Sequence, residues 1–349
     1  MAYTDIDDPS AYFQTTLYTG NGQAGHAITN SGNSDLAPNW VWIKQRNGTG
    51  THRITDSVRG VQDEFIANDS IAEDTNGGGL SAFGSDGFTL GDSGAYNGNN
   101  NTYVSWNWKA GTTGSGTTTG SGTGKAYSYS VSTAAGFSIV QYLGNGTAAH
   151  TIPHHLGAIP RMIIVKKNAD AEWQVYHASI GNGNVLHLDT ASAVEDVTNR
   201  WNDTTPTSSV FAIGTSGNVN ANDVRYIAYC FAEKQGYSKF GSYVGNGNAD
   251  GTFVWTGQKS AFIMIKATSG TENWRIYDNR RNGFNVDNEQ LFANTSAAEA
   301  SDADLDILSN GFKCRRNSGG FNNSGTTYIF MAFAKQPLVT STGVPATAR

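Results

Sequence analysis

Cysteine, proline and charge are all scarce in this chain of 349 residues: 2 Cys, 7 Pro, and 15% Asp, Glu, Lys and Arg together. Two cysteines, Cys230 and Cys314, are too few for a disulfide framework and read as free buried thiols. The formal charge of -6, with 23 basic residues against 29 acidic ones, argues against a nucleic-acid surface, which needs clustered Lys and Arg. No run of 18 apolar residues occurs, and Met1 to Pro9 lacks the basic-then-apolar pattern of a secretory leader. The expectation is a protein made in a cytoplasm and not inserted in a membrane. Sustained helical periodicity is missing as well, as are a Gly-x-Ser-x-Gly elbow and a phosphate-cradling Gly-Lys-Ser/Thr.

What is abundant is glycine, 42 residues, with many Asn, Ser and Thr between short apolar runs. That mixture suits strands joined by tight turns, because Gly and Asn tolerate the positive φ such turns need. One unit is written three times. Tyr18 to Gly22, Tyr142 to Gly146 and Tyr243 to Gly247 share the form Tyr-x-Gly-Asn-Gly, and each leads to an alternating apolar strand at Tyr103, Tyr226 and Tyr328. The spacings from first Tyr to last are 85, 84 and 85 residues, so the repeat is matched at both ends.

Inside each copy the same order recurs. Trp40 to Lys44, Met162 to Lys166 and Phe262 to Lys266 are apolar at both parities, as a strand buried on both sides would be, and the closing Lys reads as a solvated terminus. His52 to Asp56, Trp173 to His177 and Trp274 to Asp278 alternate, which predicts one buried face. Ser70 to Asp74 and Ser296 to Ala300 read as a helical turn or an ordered loop. Asp86-Gly87 and Asn310-Gly311 are turn signals ahead of Phe88 and Phe312. In the closing strands one parity is always large and apolar (Val104, Trp106, Trp108; Ile227, Tyr229, Phe231; Ile329, Met331, Phe333) and is expected to face a core.

These signals predict an all-β protein of three tandem antiparallel β-sandwich domains of lectin or jelly-roll type. Residues 1–11 form an N-terminal arm, 12–110 the first repeat, 136–236 the second, 237–336 the third and 337–349 a C-terminal tail. Residues 111–135, rich in Gly, Thr and Ser, read as a flexible linker, since they bury too little apolar surface to offset ordering entropy. Copies two and three, joined by a short linker, are expected to pair, with copy one placed more freely.

Candidate sites are few. His150, His154 and His155 invite a metal reading, but Pro153 interrupts them and the other copies lack the cluster, so turn histidines are favoured. Asn246 to Gly251 resembles the start of a calcium loop but has Gly257 where a bidentate Glu belongs, which favours a β-turn. Asp69, Asp189, Glu195 and Glu299 form no evident catalytic pair, and no catalytic residue, metal site or cofactor is expected. Trp201, outside the recurring strands, is the aromatic residue best placed for ligand binding, with packing under a loop as its competing role.

The series Leu17 to Gly22, Asp35 to Lys44, Asp56 to Gly60, Asp86 to Gly91 and Tyr103 to Lys109 resembles a repeated domain of unknown function found in virion proteins, tail-fibre-like or structural, of marine tailed bacteriophages. His155 to Lys167, Asn202 to Thr207, Ile227 to Lys234, Phe240 to Gly247 and Gly343 to Arg349 extend the likeness. The resemblance implies a non-enzymatic virion structural protein, in the tail fibre or another appendage that attaches to the host surface, with a capsid decoration protein as the alternative. A polysaccharide-degrading enzyme is the less favoured third reading. Expected partners are other virion proteins, further copies of the chain in a homo-oligomer, and a host surface glycan or receptor.

Overall fold

The computed structural model describes residues 3–346 apart from Phe284 and Val286. The outermost residues of the expected arm and tail lie outside the described residues. Short strands dominate, and every ladder is antiparallel.

Each copy centres on the same three-strand ladder. An opening strand (Phe13–Thr19, Phe137–Leu143 or Ser238–Val244) pairs with the closing strand (Thr102–Trp108, Arg225–Ala232 or Thr327–Pro337), which pairs in turn with the doubly apolar strand (Trp40–Gln45, Pro160–Lys167 or Gln258–Ala267). Strands equivalent to Arg53–Asp56 continue the sheet in each copy. A short strand lies at the far side: His26–Thr29, His150–Pro153 or Phe253–Trp255. In the third copy the strands run continuously around to Phe253–Trp255 through one eight-stranded sheet.

The Tyr-x-Gly-Asn-Gly signature is a turn clamp. Tyr18, Tyr142 and Tyr243 stack on Tyr103, Tyr226 and Tyr328 at 5.0, 5.2 and 5.1 Å. A buried Asn in each copy (Asn97, Asn220, Asn322) accepts from the signature Asn backbone N–H at 2.9, 2.8 and 3.1 Å. The first glycine is obligatory, because a Cβ on Gly20, Gly144 or Gly245 would meet a backbone oxygen at 2.3 to 2.4 Å. Two four-residue helices, Gly94–Asn97 and Gly217–Asn220, deliver the buried Asn in copies one and two. Of the two readings of 70–74 and 296–300, a helical turn or an ordered loop, the structure has the loop, running into a strand at Asp74 and at Ala300.

The large apolar parity of the closing strands does face a core, but a shared one. A single cluster joins Trp40, Trp106 and Trp108 to Phe137, Tyr229 and Phe231 and to Phe262, Met331 and Phe333. Ring centroids of Trp108 and Phe333 lie 5.6 Å apart, those of Phe231 and Phe333 6.0 Å, and those of Trp40 and Phe231 5.8 Å. The opposite parity is buried within each copy, where three smaller clusters fill the interiors.

Contacts between copies repeat with cyclic order. The backbone N–H of Glu73 donates to the Asn168 carbonyl at 3.3 Å, Val194 to Thr268 at 3.0 Å and Glu299 to Arg46 at 2.8 Å, which runs from copy one to two, two to three and three back to one. The chain is therefore a pseudo-threefold ring built within one polypeptide. The expectation of a loosely placed first copy is corrected: it supplies four of the six tryptophans in the common core, Trp40, Trp42, Trp106 and Trp108, and removing them would leave the other two copies with exposed apolar faces.

The Gly/Thr segment is also corrected. Thr112–Thr117 pairs with Ala126–Ser132, which pairs with Phe137–Leu143, and Thr119–Gly120 pairs with His150–Pro153. The segment brings little apolar surface of its own, but its glycines let neighbouring rings lie flat on it. A Cβ on Gly114 or Gly116 would meet the hydroxyl of Tyr129 or Tyr127 at 2.6 and 2.8 Å.

Candidate functional site: the outward aromatic face of the third copy

Seven of the eight tryptophans are fully buried, Trp201 among them. Trp201 is 2% exposed, its Nε1 donates to the Asn184 carbonyl at 3.1 Å, and its ring meets Tyr176 edge-on. Its faces are closed to any ligand, because the indole fills the second copy's interior beneath the loop.

Trp255 is the exception, at 56% exposure, with Phe253 beside it at 45%. Both belong to Phe253–Trp255, where alternation sends Val254 inward against Phe312 and the two aromatics outward. The equivalent outward positions are Ala27 and Thr29 in copy one and Thr151 and Pro153 in copy two, flanking the inward Ile28 and Ile152. Aligning the copies on these inward residues isolates Trp255 and Phe253 from sequence alone. Three residues are too short a run for alternation to stand out along the chain.

Trp255 stands in a groove of about 390 Å³ with Tyr3, Glu233, Gln235, Lys239, Leu338 and Val339 among its lining residues. The Lys239 ammonium sits 5.7 Å from the indole centroid and also donates to Glu233 at 2.7 Å. An aromatic face with a cation, a carboxylate and an amide at its border can hold a ligand that has both an apolar side and polar edges.

The histidines of the second copy are spread among separate partners. His150 is buried, with Nε2 2.7 Å from the Thr118 hydroxyl; His154 Nε2 lies 3.1 Å from the Thr207 carbonyl; His155 stacks on Tyr129 at 3.8 Å and reaches the Tyr127 hydroxyl at 3.0 Å. Asn246 closes a turn by accepting from the Asn248 N–H at 3.0 Å.

Three perturbed lysines end the doubly apolar strands. Lys44, Lys166 and Lys266 are fully buried, which corrects their reading as solvated termini. Lys166 donates to Ser70 of copy one at 3.1 Å and Lys266 to Ala191 of copy two at 3.2 Å, while Lys44 bonds Gln45 of its own copy at 2.6 Å. Burial pulls all three ammonium groups down to about 8. The Lys after each doubly apolar run satisfies loop carbonyls, those of a neighbouring copy for Lys166 and Lys266 and those of its own copy for Lys44. Of the four acidic residues singled out in the sequence, Glu299 forms ion pairs with Arg46 and Arg281. Asp189 accepts from the Trp173 N–H, and burial raises its carboxyl to about 6. Glu195 Oε2 lies 3.2 Å from His187 Nε2, and Asp69 accepts from the Ile71 N–H at 3.3 Å.

Residues 8–337 match the family described as Domain of unknown function (DUF7483). The chain belongs to that family. The match runs through all three copies as one unit, in keeping with their common core. No curated protein matches the chain. Among the described residues no helix is long and apolar enough to cross a membrane.

Proposed function

We propose that this chain is a non-catalytic structural subunit of a tailed-phage particle, part of a tail fibre or another exposed appendage, which meets the host surface through the outer face of its third copy. Each copy is read as an antiparallel β-sandwich of lectin or jelly-roll kind. The observation that carries the contact role is Trp255, the one tryptophan left outside, paired with Phe253 where both sister copies have small or non-aromatic residues. Aromatic residues exposed together above a groove are the usual chemistry of a binding face. The virion assignment is supported by the resemblance of the repeated sequence to phage structural proteins. The non-catalytic reading is supported by the use made of the buried charges, which are tied into fixed bonds within copies and across their boundaries.

The test is adsorption. Purified protein should bind host cells saturably and compete with phage, and Trp255→Ala should weaken binding at least about tenfold, the loss expected for a central aromatic contact. Several subunits on one particle would add avidity. Saturable binding to tailless heads with no binding to cells would replace this reading with capsid decoration. Release of reducing sugar from host polysaccharide would overturn the non-catalytic part.

A further inference from the structure

The second copy fills a place that the third leaves open. In copy two the opening strand Phe137–Leu143 is covered by Ala126–Ser132, and the short strand His150–Pro153 is covered by Thr119–Gly120. Among the described residues the equivalent strands of copy three, Ser238–Val244 and Phe253–Trp255, are the two ends of their sheet, with no further strand beyond them. Lys239 against Trp255 and the Thr252 hydroxyl donating to Val244 bring these two edges side by side.

Register makes the correspondence residue by residue. Tyr142 and Tyr243 occupy the same position, opposite Tyr226 and Tyr328 on the closing strands, so Val140 corresponds to Gly241 and Gln141 to Ser242. In copy two Tyr129 lies opposite Val140 and packs on that copy's interior. In copy three the same place is a glycine lying against Phe330: a Cβ on Gly241 would be 3.0 Å from that ring. A large side chain opposite Gly241 would find an apolar floor already built. Hydrogen-bond alternation turns the backbone of Phe240 and Ser242 outward. The Phe240 N–H reaches the Glu233 carboxylate at 3.4 Å, a contact too long to be strong, and that carboxylate is held over the edge by Lys239. Charged side chains in this place protect a free edge from random pairing.

We infer that the open edge of copy three, Lys239 to Val244, accepts an extended strand from another polypeptide of the assembly, added antiparallel, with small hydroxyl residues alternating with tyrosine and an aromatic residue opposite Gly241. The occupant's chemistry is taken from the strand that covers the sister edge in this same molecule, Ala126–Ser132. Main-chain bonds give such a partner its affinity, and the Gly241 position and Trp255 give it register. The inference rests on the third copy being the contact end, and not on which body it meets.

The probe is a synthetic peptide of residues 125–132, Lys-Ala-Tyr-Ser-Tyr-Ser-Val-Ser, added to the full chain. Amide exchange at Phe240 and Ser242 should slow roughly tenfold when free peptide is at ten times its Kd. The same peptide N-methylated at its first and second serines, the two that would lie opposite Ser242 and Phe240, should give no protection, which keeps the test independent of any folding variant. Glu233→Ala should tighten binding by freeing the edge. The inference is overturned if the two amides stay unprotected, if the N-methylated peptide protects equally, or if they become protected without peptide as protein concentration rises, since the occupant would then be a second copy. A host glycan that protects Trp255 from quenchers while the peptide does nothing also overturns it. Failure here leaves the adsorption assay with Trp255→Ala to decide the proposed function on its own.

Discussion

Two of the three boundaries in the ring are built with buried ion pairs and the third is not. Between copies one and two, Asp56 accepts from Arg59 at 2.6 Å and from the Tyr229 hydroxyl at 2.8 Å. Between three and one, Asp278 accepts from Arg281 at 2.6 Å and from Trp106 Nε1 at 3.0 Å, with the Arg281 guanidinium 5.9 Å from the Trp106 ring. Between two and three the corresponding residues are His177, Ile180 and Met331, and within that set His177 Nε2 reaches the Phe330 carbonyl at 3.2 Å. The same backbone geometry tolerates both solutions. What fixes the boundary is the shared aromatic core and the cyclic backbone bonds, while the polar set at its edge is replaceable as a unit and not piecemeal.

The largest effect is expected from breaking one polar set by half. Asp278→Ala takes the nearer of two carboxylates from a buried guanidinium, leaving it Glu299, and deprives Trp106 Nε1 of its acceptor, at a cost of about 3 kcal/mol. Denaturant unfolding should show that loss in a single transition for the whole ring; a separate early transition of copy three alone would mean the copies are not coupled. Replacing a complete set, Asp56→His with Arg59→Ile and Tyr229→Met, converts the first boundary to the chemistry of the second. It should cost less than Asp56→Ala alone, and a larger loss would show that the ion pair does more than satisfy itself.

Acid should separate the two kinds of boundary. Burial holds the His177 imidazole down to about 4, partly opposed by its bond to the Phe330 carbonyl, and His154 is likewise held to about 4. Because the unfolded chain takes up these protons near 6.5, it binds more protons than the folded chain between 6.5 and 4. Stability therefore falls as pH drops through that window. His177→Gln should flatten this acid limb in a pH series of thermal melts; an unchanged limb would assign it to other groups.

Two smaller effects concern single faces. Asn107, on the parity opposite Trp106 and Trp108, is fully buried and donates to the Gln14 carbonyl at 3.2 Å, so Asn107→Ala should cost about 1 to 3 kcal/mol. Trp255→Ala should change stability by no more than about 0.5 kcal/mol while it weakens binding. A large loss of stability would show that Trp255 is a packing residue.

Much of the local structure was legible in advance. Tyr-x-Gly-Asn-Gly announced the repeat, the doubly apolar runs announced the central strands, and alternation in Tyr328 to Phe333 named the residues that reach the common core. Relations between copies were not legible, because periodicity reports which side of a strand is apolar and never which body covers it. For the same reason Lys44, Lys166 and Lys266 passed for solvent-facing ends and Thr112–Thr117 for a linker. Trp201 and Trp255 look alike in the sequence because both stand outside the long strands, and only the alignment of inward Ile28, Ile152 and Val254 separates them.

Closing the ring inside one polypeptide changes how the threefold responds to dilution. Three separate subunits with these boundaries would come apart as their concentration fell, since each contact would be paid for in lost translational freedom. Here every boundary is intramolecular, and one that opens is held in place by the other two, as a chelate holds a ligand arm that has let go. The local concentration of the missing contact never drops, so the ring is as complete in a single molecule as in a crowded particle. That independence also leaves each boundary free to drift in chemistry without its sisters, which is the freedom His177, Ile180 and Met331 record.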